Sequence, residues 1–133
     1  SFTIIPNNSS DDYDWAVYDI TSMGCMDIAS NADVMQVSCN FCGTSGNTGP
    51  SGASTDDCQH GNSCTPFNDE LNVTAGETYV VNVSNFSATQ SGYTINFLRP
   101  EENLTFLVSR HHHSRYQNMK NPDLTNIHYS KHH

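Results

Sequence analysis

Two stretches of this chain alternate so regularly that they leave little choice of backbone. In Thr78-Tyr79-Val80-Val81-Asn82-Val83, the side chains of Tyr79, Val81 and Val83 share one face, and Tyr93, Ile95 and Phe97 do the same with Thr94 and Asn96 opposite. A two-residue period of aromatic and β-branched residues marks a strand with one face buried, because successive side chains of an extended chain point to opposite sides. Asp14-Trp15-Ala16-Val17-Tyr18-Asp19-Ile20 is apolar on both faces and reads as a central strand. Phe2–Ile5, Met35–Cys39 and Leu71–Val73 are shorter candidates. Thr74-Ala75-Gly76-Glu77 reads as a turn, with Gly where positive φ is wanted. The expectation is an all-β fold, a two-sheet jelly-roll-like β-sandwich of about six strands. No amphipathic helix is read before residue 98.

Composition supports this. Among 133 residues, 15 Asn, 16 Ser and 12 Thr make up near a third of the chain. Their short polar side chains bond to local backbone, which weakens helices and favours turns. Charge divides the chain in two. Residues 1–98 hold 11 carboxylates and no Lys or Arg, whereas Arg99, Arg110, Arg115, Lys120 and Lys131 all lie beyond, in a segment with six of the seven histidines. A cation-free segment cannot neutralise phosphates, so nucleic-acid binding by residues 1–98 is excluded, as is an interfacial helix held by anionic lipid. No apolar run approaches the roughly 18 residues that span a bilayer, and no signal peptide is visible, so the chain reads as a mature or excised fragment. The expected division is a β-sandwich module over 1–98 and a His-rich basic tail over 99–133. That tail carries a candidate extra strand at 104–109 and is otherwise read as poorly ordered or of separate origin.

Five cysteines, at 25, 39, 42, 58 and 64, suit an oxidising compartment, where two bridges leave one thiol over. Cys58 and Cys64 could close a small loop, with Cys25 reaching Cys39 or, as the alternative partner, Cys42. The rival is zinc on Cys39-x2-Cys42, Cys58 and Cys64 with His60 near, but structural zinc prefers short knuckles in both halves. A redox role for Cys39-x2-Cys42 lacks the helix start that stabilises a thiolate. The connection over 43–66 is longer than ordinary loops, which suggests either a stapled loop or a binding role.

Asn7-Asn8-Ser9-Ser10-Asp11-Asp12-Tyr13-Asp14 gathers oxygen ligands just before a strand. Calcium takes six to eight oxygens, so Asp11, Asp12 and Asp14 are candidate ligands, with Asp19, Glu77, Asn82 or Asn85 as remote contributors; the bland alternative is a solvated acidic turn. His111-His112-His113 is too short to define a metal geometry. Asn8, Asn72, Asn82, Asn85 and Asn103 head glycosylation sequons. No nucleophile elbow, zinc-protease motif or phosphate loop occurs. Asp56-Asp57 and Asp69-Glu70 are neighbouring carboxylates in polar loops, which are usually solvated. The chain is not expected to be an enzyme.

The order of blocks carries a resemblance. Asp11-Asp12-Tyr13-Asp14-Trp15-Ala16-Val17-Tyr18-Asp19-Ile20, Cys25-Met26-Asp27-Ile28, Val37-Ser38-Cys39-Asn40, Gly49-Pro50-Ser51-Gly52, Pro66 to Tyr79, Val83-Ser84-Asn85-Phe86-Ser87 and Gly92 to Phe97 together resemble β-sandwich modules of Bacteroidota surface proteins exported by type IX secretion. The Ala-Gly-Glu-Thr-Tyr and Gly-Tyr-Thr blocks are also similar to the bacterial pre-peptidase C-terminal domain. The resemblance covers residues 2–97. It implies a non-catalytic accessory or adhesion module, extracellular or at the cell surface, and in some relatives calcium.

The leading expectation is therefore an extracellular adhesion, assembly or spacer module of a larger secreted or cell-surface protein, whose partner is a protein or glycan. The alternative is a carbohydrate-binding accessory of a secreted hydrolase, for which Tyr13, Trp15 and Tyr18 are candidate platforms, although Trp15 lies in the most apolar strand and suits a core better. A third reading is self-assembly through an open sheet edge.

Overall fold

The computed structural model describes residues 1–98 and the backbone of residues 105–111. Nine strands are present among them: β1 (Phe2–Pro6), β2 (Tyr13–Asp19), β3 (Gln36–Cys42), β4 (Gly49–Pro50), β5 (Cys58–Gly61), β6 (Phe67–Asn68), β7 (Thr78–Asn85), β8 (Tyr93–Phe97) and β9 (Thr105–His111). The fold is predominantly β. A five-stranded sheet has the order β5-β3-β2-β7-β9, and two-stranded sheets pair β1 with β8 and β4 with β6. The candidate strand at 104–109 forms as β9, parallel to β7. The rest of the His-rich tail, with its metal reading, lies outside the described residues.

Alternation builds the core. Tyr13, Trp15 and Val17 of β2 and Tyr79, Val81 and Val83 of β7 point to one face of the large sheet and meet Phe2 and Ile4 of β1 in a single buried cluster. Tyr93, Ile95 and Phe97 of β8 pack against it from the ribbon side. Phe2 meets Trp15 edge-on at 5.3 Å between ring centres, and Tyr13 meets Tyr93 at 5.2 Å. The antiparallel register sets this: Trp15 faces Val83 and Val17 faces Val81 across β2 and β7, while Ile4 faces Ile95 across β1 and β8. β2 is the central strand its two apolar faces called for.

Three expectations are corrected. A 3-10 turn (Cys25–Asp27) runs into a short helix, α1 (Ile28–Met35), where none was read. The helix is eight residues long, breaks helical geometry at Asn31 and buries only Met35, so it has no apolar face to show as a period. Leu71–Val73 forms no strand; Leu71 and Val73 pack on the core from an unpaired segment. The 43–66 connection is not structureless, since it contains β4 and β5.

Two turns show why particular residues stand where they do. At Thr74–Glu77 the chain closes through Glu77 N–H to Thr74 C=O at 3.1 Å, with Gly76 at φ +90°. The Glu77 carboxylate then receives the Thr74 N–H and the Tyr79 hydroxyl. Burial first, and Glu77 second, push the Tyr79 phenol up to about 12. Gly49 has φ +152° and lies so close to β1 that a Cβ would overlap the Phe2 carbonyl oxygen. That contact accompanies an antiparallel bridge between Ile4 and Thr48, whose two backbone hydrogen bonds measure 2.8 and 3.1 Å and join β4 to β1.

Candidate contact site on the outer sheet face

The sequence of β3, Gln36-Val37-Ser38-Cys39-Asn40-Phe41-Cys42, sends its side chains to two different environments. Ser38, Asn40 and Cys42 turn toward the long connection and are buried; Val37 and Phe41 turn outward. On the inner side a polar network ties the connection down. Asn68, fully buried, donates to the carbonyls of Cys39 (2.6 Å) and Asp57 (2.8 Å) and accepts from Asn40 Nδ2 at 2.7 Å. Asn40 also donates to the Thr65 carbonyl, and its Oδ1 accepts the Cys42 N–H. Each of these groups would cost about 1–3 kcal/mol if left unpaired in the interior.

Disulfides reinforce the same region with a pairing other than the expected one. Cys39 is bridged to Cys58, with Cα atoms 4.5 Å apart, and Cys42 to Cys64, at 5.7 Å. The parallel register of β3 and β5 places Cys39 directly opposite Cys58 and leads Cys42 toward the turn that carries Cys64. The Cys58–Cys64 loop is thus not closed on itself. Cys25, at the start of the 3-10 turn, carries no bridge. The zinc and redox readings of Cys39-x2-Cys42 fall with this, because all four thiols they need are consumed. Two disulfides point to an oxidising environment. No helix among the described residues is long and apolar enough to cross a membrane.

The outward face of the large sheet is where an exposed ring and polar side chains come together. Asp14, Ala16 and Tyr18 of β2 alternate with the core residues, and Asn82 and Ser84 lie beside them on β7. With Phe41 they line a shallow concavity of about 120 Å³. Phe41 is 44% exposed although it lies between two bridged cysteines, Cys39 and Cys42. Tyr18 is half-buried, and that burial raises its phenol above the ordinary value. Among the described residues, no side-chain hydrogen bond engages the Tyr18 hydroxyl, the Asn82 amide or the Ser84 hydroxyl. The candidate platforms thus separate: Tyr13 and Trp15 are buried in the core, Tyr18 lies on the open face, and Phe41 joins it without having been singled out. The signal for Phe41 was present in the alternation of β3, which puts it opposite in sense to Asn40.

The acidic turn has a different character. Asp11 is buried and accepts from Ser91 and Thr89 on one oxygen and from Asn8 Nδ2 at 3.3 Å on the other. The Ser91 and Thr89 hydrogen bonds hold its carboxyl below the usual carboxylate value. Asn85 extends the cluster, donating to the Tyr13 hydroxyl at 3.0 Å and to Thr89 Oγ1 at 2.9 Å. Asp12 is buried too, but its Oδ1 meets no donor among the described residues, and burial pushes its carboxyl up. Asp14 stands apart, on the outward groove. Among the described residues no three His, Cys, Asp or Glu side chains gather into a metal-holding group, so the structure does not bring Asp11, Asp12 and Asp14 together as one ligand set. Of the remote contributors, Asn85 belongs to the Asp11 cluster, Glu77 to its own turn and Asn82 to the groove. Asp19 accepts the Thr21 N–H at the end of β2.

Comparison with protein-family models, with curated proteins and with solved structures finds no match.

Proposed function

We propose that this chain is a non-catalytic contact module, serving adhesion or assembly within a larger secreted or cell-surface protein. The observation that carries the reading is the outward face of the five-stranded sheet, where Phe41 is exposed beside Tyr18 on a strand fixed by two disulfides. An exposed ring that shares a groove with a second aromatic side chain and with polar groups offers a partner apolar area and hydrogen-bonding capacity side by side. The bridges and the Asn40–Asn68 network limit what the face loses in entropy on binding. An extracellular location follows the same bridges. A jelly-roll-like sandwich, as in the type IX-secreted and pre-peptidase C-terminal modules that the sequence resembles, is supported by the packing of β1 and β8 against the core face of the five-stranded sheet and by the isolated Ile4–Thr48 bridge beside β1.

The test is retention. Beads coated with the protein should be held by isolated cell-envelope material, and Phe41→Ser should release them. Val34→Ser, at a residue 77% exposed on α1, should not. Equal retention of both variants would overturn the reading.

A further inference from the structure

The structure assigns Glu70-Leu71-Asn72-Val73-Thr74 as the acceptor segment for an N-linked glycan, with Asn72 Nδ2 as the atom that is modified. The inference goes beyond the contact reading and uses a different part of the molecule. Within residues 1–98, Asn-x-Ser/Thr sequons begin at Asn7, Asn8, Asn72, Asn82 and Asn85. The fold separates them. A transferase takes up a sequon as a strip of backbone, with the carboxamide and the hydroxyl two residues on presented together, so neither can be engaged elsewhere. Asn85 is buried, and its Nδ2 donates to the Tyr13 hydroxyl and to Thr89. The hydroxyl of that sequon, on Ser87, accepts the Asp12 N–H at 2.8 Å. Asn82 and Ser84 lie in β7, whose backbone is paired on both sides, to β2 and to β9. Asn7 and Asn8 are exposed, but both carboxamides are in use. Asn7 Nδ2 donates to the Ser91 carbonyl at 2.7 Å, while Asn8 accepts the Ser10 N–H at 3.1 Å and donates to Asp11 at 3.3 Å.

Asn72 meets each requirement. Leu71 and Val73 pack on the core, whereas Glu70, Asn72 and Thr74 are exposed, an alternation that brings the carboxamide and the Thr74 hydroxyl to one side. Among the described residues no hydrogen bond engages either group, and no backbone hydrogen bond ties residues 71–73 to a neighbour. Glu70 places a carboxylate two positions before the acceptor, where the other four sequons have Ile5, Pro6, Val80 and Val83. That charge is a handle for a cationic groove on the transferase. The core that Leu71 and Val73 join lies on the opposite face of the large sheet from Phe41 and Tyr18, so a glycan on Asn72 leaves the outward face open. In the transfer, Asn72 Nδ2 bonds to the anomeric carbon of an oligosaccharide carried on a polyprenyl diphosphate. The bond from that carbon to the diphosphate oxygen breaks, the diphosphate leaves with the electron pair, and Nδ2 gives one proton to a base of the transferase. Nothing is oxidised or reduced. Export compartments that form disulfides are also where such transfer takes place, and the two bridges point there.

The experiment presents the full chain, folded and then reduced and unfolded, to a purified bacterial oligosaccharyltransferase with a polyprenyl-diphosphate oligosaccharide, and maps the products as glycopeptides by mass spectrometry. Asn103, a sequon outside the described residues, is replaced by Gln throughout. The folded chain should gain one glycan, on Asn72, at a rate within a few-fold of that in the unfolded chain. Asn72→Gln and Thr74→Val should abolish transfer, and Glu70→Gln should lower it several-fold. Alkylation of a single thiol in each folded sample confirms that both bridges are intact. Transfer to Asn72 in the unfolded chain alone, transfer to Asn7, Asn8, Asn82 or Asn85 ahead of Asn72 in the folded chain, or no transfer to Asn72 in either form would each overturn the inference. Undiminished transfer to the Glu70→Gln variant would remove Glu70 from the acceptor segment.

Discussion

The indole N–H of Trp15 donates to the Thr48 hydroxyl at 2.8 Å, and that hydroxyl donates onward to the Pro66 carbonyl at 2.6 Å. Through this relay the largest side chain of the core ties Thr48, within the long connection, to Pro66 at its end. Thr48→Val keeps the shape of the site and removes the oxygen, leaving the buried indole N–H without its acceptor, while the Pro66 carbonyl keeps the Gly49 N–H at 3.2 Å. The expected loss is about 1–3 kcal/mol, read as a lower urea midpoint with an unchanged slope.

Asn68→Ala should cost about 1–3 kcal/mol, because it takes a donor from the Cys39 carbonyl and an acceptor from Asn40, while the Asp57 carbonyl keeps the Ser38 hydroxyl and the Cys39 N–H. Hydrogen exchange should locate the damage. Amides in 43–66 should exchange faster, whereas those of β7 should slow or quicken only with global stability. Uniform acceleration throughout the chain would show that the connection is not separately held by this residue.

The fold was legible where one face of a strand is dry. β2, β7 and β8 announced themselves because alternation is a direct image of burial, and Trp15 was readable as core for the same reason. The Asn40–Asn68 pair was not legible: among 15 asparagines, nothing local distinguishes the two that turn inward. Cys39 and Cys42 read in the sequence as a metal or redox pair, and that spacing says nothing of the exposed ring of Phe41 between them. Disulfide partners depend on register, and the parallel pairing of β3 with β5 is a long-range event that spacing cannot supply. α1 was missed since it buries a single residue.

The two buried carboxylates of the acidic turn should respond to pH in opposite senses. Asp11 titrates below its ordinary 3.8 because Ser91 and Thr89 donate to it. Its contribution is therefore present above the unfolded value and is lost as pH falls through the lower folded one. Asp11→Asn should destabilise the protein near neutral pH and make little difference below about pH 3. Asp12 titrates above 3.8 because burial disfavours its charge. Its cost is present above the raised folded value and disappears as pH falls to the unfolded one. Asp12→Asn should then stabilise near neutral pH, with the gain vanishing below about pH 4. Thermal melts in EDTA check both. A calcium site using Asp11, Asp12 and Asp14 requires the contrary: added calcium should raise the melting temperature of the parent and not of Asp12→Asn.

The bridges make a simple count. Alkylation of the native protein should label one thiol, on the peptide that holds Cys25, and five after reduction and unfolding. Replacing Cys42 and Cys64 together by Ser should cost about 2–4 kcal/mol. Labelling at Cys39, Cys42, Cys58 or Cys64 in the native state would undo both the frame of the site and the case for an oxidising compartment.

Whether the face carrying Tyr18 and Phe41 is the one that meets a partner is most directly read by hydroxyl-radical footprinting, with the protein free and then bound to the cell-envelope material that retains it. Binding should protect Tyr18 and Phe41 and leave unchanged Met26 and Val34, which are exposed on the 3-10 turn and α1. Protection of Met26 or Val34 with Tyr18 and Phe41 oxidised as before would place the contact surface elsewhere and contradict the assignment.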